Sequence, residues 1–177
     1  MIEQRVNHLR RDAKGDQEKI RKKVYSPPPG KTAKLTVLES GFSRLVTISV
    51  GVMAPRILIA EDRATMRTTL RSLFTLYSKW DVCGEAVDGR QAVDAAIALK
   101  PDLVLLDYKM ANGDGMEAAS EIKEKLPNTP IVIFTLYKTE ELELQARKVG
   151  VTAVVGKEEG VVKLLNTIEG QLNQPLI

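Results

Sequence analysis

Four apolar runs in this chain stop at polar residues whose chemistries complement one another. Arg56 to Ala60 (R-I-L-I-A) leads into Glu61 and Asp62, Leu103 to Leu106 (L-V-L-L) into Asp107, Ile131 to Phe134 (I-V-I-F) into Thr135, and Val151 to Val155 ends near Lys157. If those runs lie side by side, three carboxylates, a hydroxyl and an ammonium converge on one face. Carboxylates held close together repel, and their ionised forms need a cation between them. An all-oxygen ligand set favours Mg²⁺, which keeps several waters and can also hold a phosphoryl group. Thr135 and Lys157 would bind the remaining phosphoryl oxygens. One carboxylate would then be a nucleophile that takes up the phosphoryl group, while metal and ammonium neutralise the developing charge. A single Asp at a strand end is ordinarily structural. Five suitable residues at four strand ends make a site the better reading.

The elements that must position these residues are legible from Met53 onward. Apolar runs at 56–60, 103–106, 131–134 and 151–155 read as strands, and 81–86 (D-V-C-G-E-A) as a short further one. Helical spacing or Ala-rich composition marks 65–77, 91–99, 116–126, 139–149 and 161–172 as helices. Asp88-Gly89 reads as a turn, Asn112-Gly113-Asp114-Gly115 as a loop, Pro101 and Pro127 as stops, and Gly150 as a closing residue. Strands that are apolar on every residue are buried on both faces, which implies a parallel sheet covered by helices. Right-handed crossovers then give a doubly wound, five-stranded α/β domain whose working site lies at the carboxyl ends of the strands.

Composition excludes several other classes. The chain has 44% hydrophobic and 28% charged residues, one Cys and one His. With Cys83 and His8 alone, no intramolecular disulfide, cysteine metal cluster or Ser-His or Cys-His pair can form within one chain. The longest mostly apolar run, 45–54, is too short to span a bilayer, so no membrane contact and a cytoplasmic setting are expected. The net charge of +3 is uneven. Residues 1–52 hold 11 Lys/Arg and 5 Asp/Glu, a balance of +6, whereas residues 53–177 hold 15 and 18, a balance of −3.

Residues 1–52 therefore read as a basic, disordered extension preceding a domain at 53–177, or as the product of a misassigned start codon. A loose helix over 2–24 would be marginal alone, and 35–52 shows no clean periodicity. The Arg21-Lys22-Lys23 cluster and His8 read as solvated residues. Gly30-Lys31-Thr32 imitates the end of a phosphate-binding loop, but Tyr25 stands where that motif needs Gly and Pro27 to Pro29 fill the loop.

The constellation resembles the receiver domain of bacterial two-component response regulators, over roughly residues 55–173. Glu61-Asp62 matches the acidic pair, L-V-L-L-D with Asp107 the phosphoacceptor, Met110 and Gly115 the following loop, Thr135 the hydroxyl position and Lys157 the lysine. The wording V-D-G-R-Q-A-V and P-D-L-V-L-L-D is most similar to the subgroup that carries a helix-turn-helix output domain. The resemblance implies a flavodoxin-like fold. It also implies that a histidine kinase or phosphotransfer protein donates a phosphoryl group to Asp107. Mg²⁺ would be held by Glu61, Asp62, Asp107 and the backbone carbonyl of Lys109. Lys109 and Tyr137 would tune hydrolysis of the aspartyl phosphate. The last helix ends near the C-terminus, so no DNA-binding domain is expected and the output partner would be a protein acting in trans.

Four residues depart from the family pattern. Ala111 stands where Pro is frequent, Leu136 where a small residue is frequent, and Val154 where a switch Tyr or Phe is usual. Glu158 follows Lys157 where many members have a cis proline. A cis bond without proline costs about 2.5–4 kcal/mol, so a trans bond is expected. Two rivals remain: a receiver-fold interaction module that is never phosphorylated, which Val154 leaves open, and a phosphatase forming an aspartyl phosphate. The phosphatase would need a second Asp two residues after its nucleophile, where this chain has Lys109.

Overall fold

The computed structural model describes residues 32–37, 46–51, 54–77, 80–111 and 113–173. The strands of the main sheet are β3 (Arg56–Ala60), β4 (Asp81–Ala86), β5 (Leu103–Leu106), β8 (Ile131–Thr135) and β9 (Ala153–Gly156). Their order is β4-β3-β5-β8-β9 and all neighbours are parallel. The helices are α1 (Ala64–Tyr77), α2 (Gly89–Leu99), α3 (Gly115–Lys125), α4 (Glu140–Lys148) and α5 (Gly160–Leu172), each following a strand. The doubly wound architecture expected from the apolar runs, flavodoxin-like as the resemblance implies, is the one observed.

Side-chain alternation along the strands builds two cores. Leu58, Ala60, Val104, Leu106, Ile131 and Ile133 face one side and pack with Ala92, Val93 and Ala96 of α2, Ala118, Ala119 and Ile122 of α3, and Ala146 of α4. Ile57, Ile59, Leu103, Leu105, Val132 and Phe134 face the other side, against Leu70 and Phe74 of α1 and Leu164, Leu165 and Ile168 of α5. Small Ala residues on α2 and α3 let these helices lie close to the sheet. On the opposite side Phe74 meets Trp80 edge-on, with ring centroids 5.4 Å apart.

Caps set several helix starts. Asp88 accepts from Gln91 N at 2.8 Å, so the Asp88-Gly89 turn of the sequence reading is the entry to α2. Asp114 caps α3 through Met116 N at 2.9 Å, and Thr139 caps α4 through Leu142 N at 3.1 Å. Gly150, at φ 86°, closes the turn after α4. Within the expected loop at 112–115, β7 (Gly113–Asp114) pairs antiparallel with β6 (Lys109–Met110), and Gly115 already begins α3.

Two short strands are described within the N-terminal extension. β1 (Thr32–Val37) and β2 (Val46–Gly51) pair antiparallel in a sheet separate from the main one. Val46-Thr47-Ile48-Ser49-Val50 does alternate apolar and polar, a strand signal too short to stand out within 35–52. The expected helix over 2–24, and the expected disorder of the remaining extension, lie outside the described residues.

Candidate functional site

Strand register brings the site together. Ala60 pairs with Leu106, so Glu61 and Asp107 are the next residues on adjacent parallel strands. The ladder continues into them: Asp107 N donates to Ala60 O at 2.9 Å and Glu61 N to Ala86 O at 3.1 Å. Thr135 pairs with Gly156 across β8 and β9, and Lys157 follows. Each residue chosen at an apolar run's end therefore sits on the same edge of the sheet.

Lys157 reaches back over that edge. Its Nζ lies 2.7 Å from Glu61 Oε2 and 2.6 Å from Asp107 Oδ2. All three side chains are buried, at 5%, 2% and 7% exposure, so these are charge-assisted bonds shielded from water. The Lys157 ammonium also stands 5.8 Å from the centre of the Phe134 ring. Burial pushes the Glu61 carboxyl above its ordinary range, against the opposing pull of Lys157. Glu61 Oε1 is buried without a hydrogen-bond partner.

Asp62 forms the outer wall. It is half-buried, and its Oδ2 accepts the Ala111 N–H at 3.0 Å, tying the first acidic loop to the loop after Asp107. Asp107 Oδ1 accepts only a long bond from Lys109 N, at 3.3 Å. The Lys109 side chain turns onto the Tyr108 ring, with Nζ 4.7 Å from its centre. Thr135 is fully buried, and its Oγ1 accepts the Tyr137 N–H at 3.2 Å. The Tyr137 side chain is exposed, as is that of Leu136. Val154 packs against the core at the place of the expected aromatic. No cis peptide bond occurs among the described residues, so Lys157-Glu158 is trans as expected.

Gly115 has a steric role. A β-carbon there would stand 2.2 Å from the Asp107 carbonyl oxygen and 2.9 Å from Tyr108 Cα, so only glycine lets α3 begin this close to the site. Its N–H donates to Tyr108 O at 2.9 Å. Arg67 supports the first loop, with a guanidinium nitrogen 2.9 Å from Glu61 O and Nε 3.0 Å from Glu85. Sequence reasoning missed Arg67 and the Ala111 N–H. The first is a largely buried side chain of α1 whose partners Glu61 and Glu85 lie on other elements, with no distinguishing pattern in the sequence, and the second is backbone.

Carboxylate oxygens of Glu61, Asp62 and Asp107 lie within 4.8 Å of one another, a spacing that a divalent cation could bridge. The unpartnered Glu61 Oε1 and the all-oxygen donor set both fit a hard cation.

A parallel α/β domain with an acidic pocket and a lysine at its strand ends defines a class, and the comparisons agree. The chain belongs to the response regulator receiver domain family, whose model matches residues 57–169. It is 40% identical over 114 residues to the transcriptional regulatory protein PdtaR of Mycobacterium tuberculosis, covering 64% of this chain and 55% of that protein. It is 34% identical over 119 residues to the chemotaxis protein CheY of Thermotoga maritima, covering 66% of this chain and 98% of that protein. The response regulator domain of Thermotoga maritima CheB superposes with a TM-score of 0.63 at 28% identity, over 70% of this chain and 99% of that one. The chain spans about half the length of the first curated relatives it matches. Receiver domains serve two-component signalling opposite a histidine kinase or another phosphodonor, as signalling modules rather than enzymes as a rule. Among the described residues no helix is long and apolar enough to cross a membrane.

Proposed function

We propose that this chain is a phosphorylation switch in which Asp107 accepts a phosphoryl group from a histidine kinase or phosphotransfer protein. The observation that carries this reading is the Lys157 ammonium, shared at 2.6 and 2.7 Å by two buried carboxylates. Asp107 Oδ2 is committed to Lys157, while Oδ1 has only the long contact from Lys109 N and is the better nucleophile. A bond forms from Asp107 to phosphorus as the phosphorus–nitrogen bond of the donor's phosphohistidine breaks. The departing imidazole keeps the electron pair and takes a proton from water.

Glu61, Asp62, Asp107 and the Lys109 carbonyl would hold Mg²⁺. When bound, the ion supplies positive charge against the phosphoryl oxygens and the acidic cluster. Lys157 then turns from the Asp107 carboxylate to the phosphoryl group, and the Thr135 hydroxyl donates to another of its oxygens. Leu136 restricts access to the site, and Lys109 and Tyr137 tune how fast water removes the group.

Phosphorylation shifts a two-state equilibrium whose output face is built from α4, β9 and α5. Exposed Leu144, Val161 and Val162 on these helices support that assignment. Intact-mass measurement after incubation with Mg²⁺ and a small phosphodonor tests the reading. A gain of one phosphoryl group is expected. An unchanged mass would favour an interaction module that is never phosphorylated, and sustained turnover of the donor would favour a phosphatase.

A further inference from the structure

Lys157 is delivered to its carboxylates by a turn whose supports lie outside the acidic site. Residues Lys157–Glu159 form one 3-10 turn between Gly156 and Gly160, and Gly160 leaves it at φ 82°. No proline stiffens this turn. Glu159 does so instead: its Oε2 accepts the Gly156 N–H at 2.6 Å and the Lys138 ammonium at 2.9 Å. Lys138 also reaches Glu143 Oε1 at 3.3 Å, which ties the turn to α4. Lys138 lies three residues beyond Thr135 on the loop that carries Tyr137. One carboxylate therefore joins the end of β9, the turn bearing Lys157 and the loop after Thr135.

We propose that Glu159, held by Lys138, is the positioning residue for Lys157. An ordinary exposed ion pair contributes little. This one differs because its carboxylate also closes the turn onto a backbone N–H, and the two side chains are only 24% and 30% exposed. Two charge-assisted bonds from one ammonium tolerate little backbone movement, so losing the brace moves Nζ away from Asp107 and Glu61. The same brace makes the Thr135 loop and the Lys157 turn move together, a coupling that packed Val154 cannot supply through an aromatic rotation. Glu158 provides the control. Its carboxylate folds over Gly156, with Oε1 2.0 Å from where a β-carbon of Gly156 would stand, and it makes neither of the Glu159 bonds.

The functional half of this inference rests on Asp107 being the phosphoacceptor, so the test has two arms. The first uses the unphosphorylated full chain. The Lys157 ammonium resonance, identified by its loss in Lys157→Ala, reports proton exchange with water. Exchange should become about tenfold faster or more in Glu159→Ala, as a displaced ammonium loses its partners. Lys138→Ala and Glu159→Gln should show smaller increases, since each keeps an oxygen acceptor for the Gly156 N–H. These two carry the comparison if Glu159→Ala does not fold. Glu158→Ala should leave exchange unchanged. Unchanged exchange in the Glu159 and Lys138 variants, or an equal effect of Glu158→Ala, would overturn the proposal.

The second arm measures phosphoryl uptake from a small acyl phosphate with Mg²⁺. Glu159→Ala should slow uptake in the wild-type background and add no loss in the Lys157→Ala background. Equal losses in both backgrounds would show that Glu159 does not act through Lys157. Wild-type protein that takes up no phosphoryl group would defeat the switch reading, and the exchange arm would then decide the positioning role by itself.

Discussion

Lys157 and Asp107 lie 50 residues apart in the chain, yet Nζ and Oδ2 are 2.6 Å apart in the fold. Glu61 shares the same ammonium at 2.7 Å. Removing the lysine leaves two buried carboxylates facing each other, a change that ordinarily costs about 3–5 kcal/mol. Lys157→Ala should therefore lose stability, toward the lower end of that range, because Glu61 is already held above its ordinary range and can take up a proton. The loss should shrink as pH falls, since protonated Glu61 no longer repels Asp107. Denaturant titration at pH 8 and pH 5 checks this; a loss independent of pH would contradict it. The variant should still bind Mg²⁺ while responding poorly to phosphorylation.

Gly115→Ala tests how closely α3 must approach the site. The added carbon would meet the Asp107 carbonyl at 2.2 Å, a backbone atom that cannot rotate away. A destabilisation of about 1–3 kcal/mol is expected, together with slower phosphoryl uptake. By contrast Gly170→Ala, with nothing within 4 Å of the new carbon, should be tolerated. Equal behaviour of the two variants would refute the steric argument.

Glu85 gives a pH dependence separate from the acidic cluster. Its carboxyl is held below the ordinary range, first by the Arg71 hydrogen bond, which burial partly offsets, and then by the Arg67 hydrogen bond. Because the folded-state value is depressed, the stabilisation is fully present above the unfolded value of about 4.3 and is lost as pH falls through the folded value. Glu85→Gln should thus lower the melting temperature at pH 7 and converge with wild type near pH 3. The effect is small because the side chain is 29% exposed. Parallel melting curves at both pH values would rule it out.

Deleting residues 1–52 should leave the melting temperature and Mg²⁺ binding of the receiver domain nearly unchanged. The family match begins at residue 57, and β1 and β2 form a sheet of their own. A marked loss of stability would show that the hairpin packs on the domain. N-terminal sequencing of the native protein decides whether the chain starts at Met1 or near Met53.

Much of the site was legible because buried parallel strands announce their ends. An apolar run such as L-V-L-L can stop only where the chain leaves the sheet, so Asp107 was identifiable without a partner in view. Register then did the rest: Glu61 and Asp107 each follow a paired residue of adjacent strands. The helix starts were legible only to within a residue or two: the Asp88-Gly89 turn proves to be the cap and first residue of α2, and Thr139, read as helical, caps α4 from just outside it. What stayed hidden depends on distant geometry. Nothing in the spacing of Lys138 and Glu159 marks a pair that forms only when two loops meet. Ala111 contributes a backbone N–H, which any residue but proline carries. The hairpin at 32–37 and 46–51 stayed hidden for a different reason, since its alternation spans too few residues to exceed the background of a polar segment.

The central claim is that Asp107 is the phosphoryl acceptor and that Mg²⁺ is required. The most direct measurement is the intact mass of wild type and Asp107→Asn, each incubated with a small phosphodonor, with and without Mg²⁺. An amide keeps the shape of the carboxylate but is not a competent nucleophile and weakens the metal site. Wild type with Mg²⁺ should gain one phosphoryl group. Wild type without Mg²⁺, and Asp107→Asn under either condition, should gain essentially none while remaining folded. A full phosphoryl gain by folded Asp107→Asn at the wild-type rate would contradict the account.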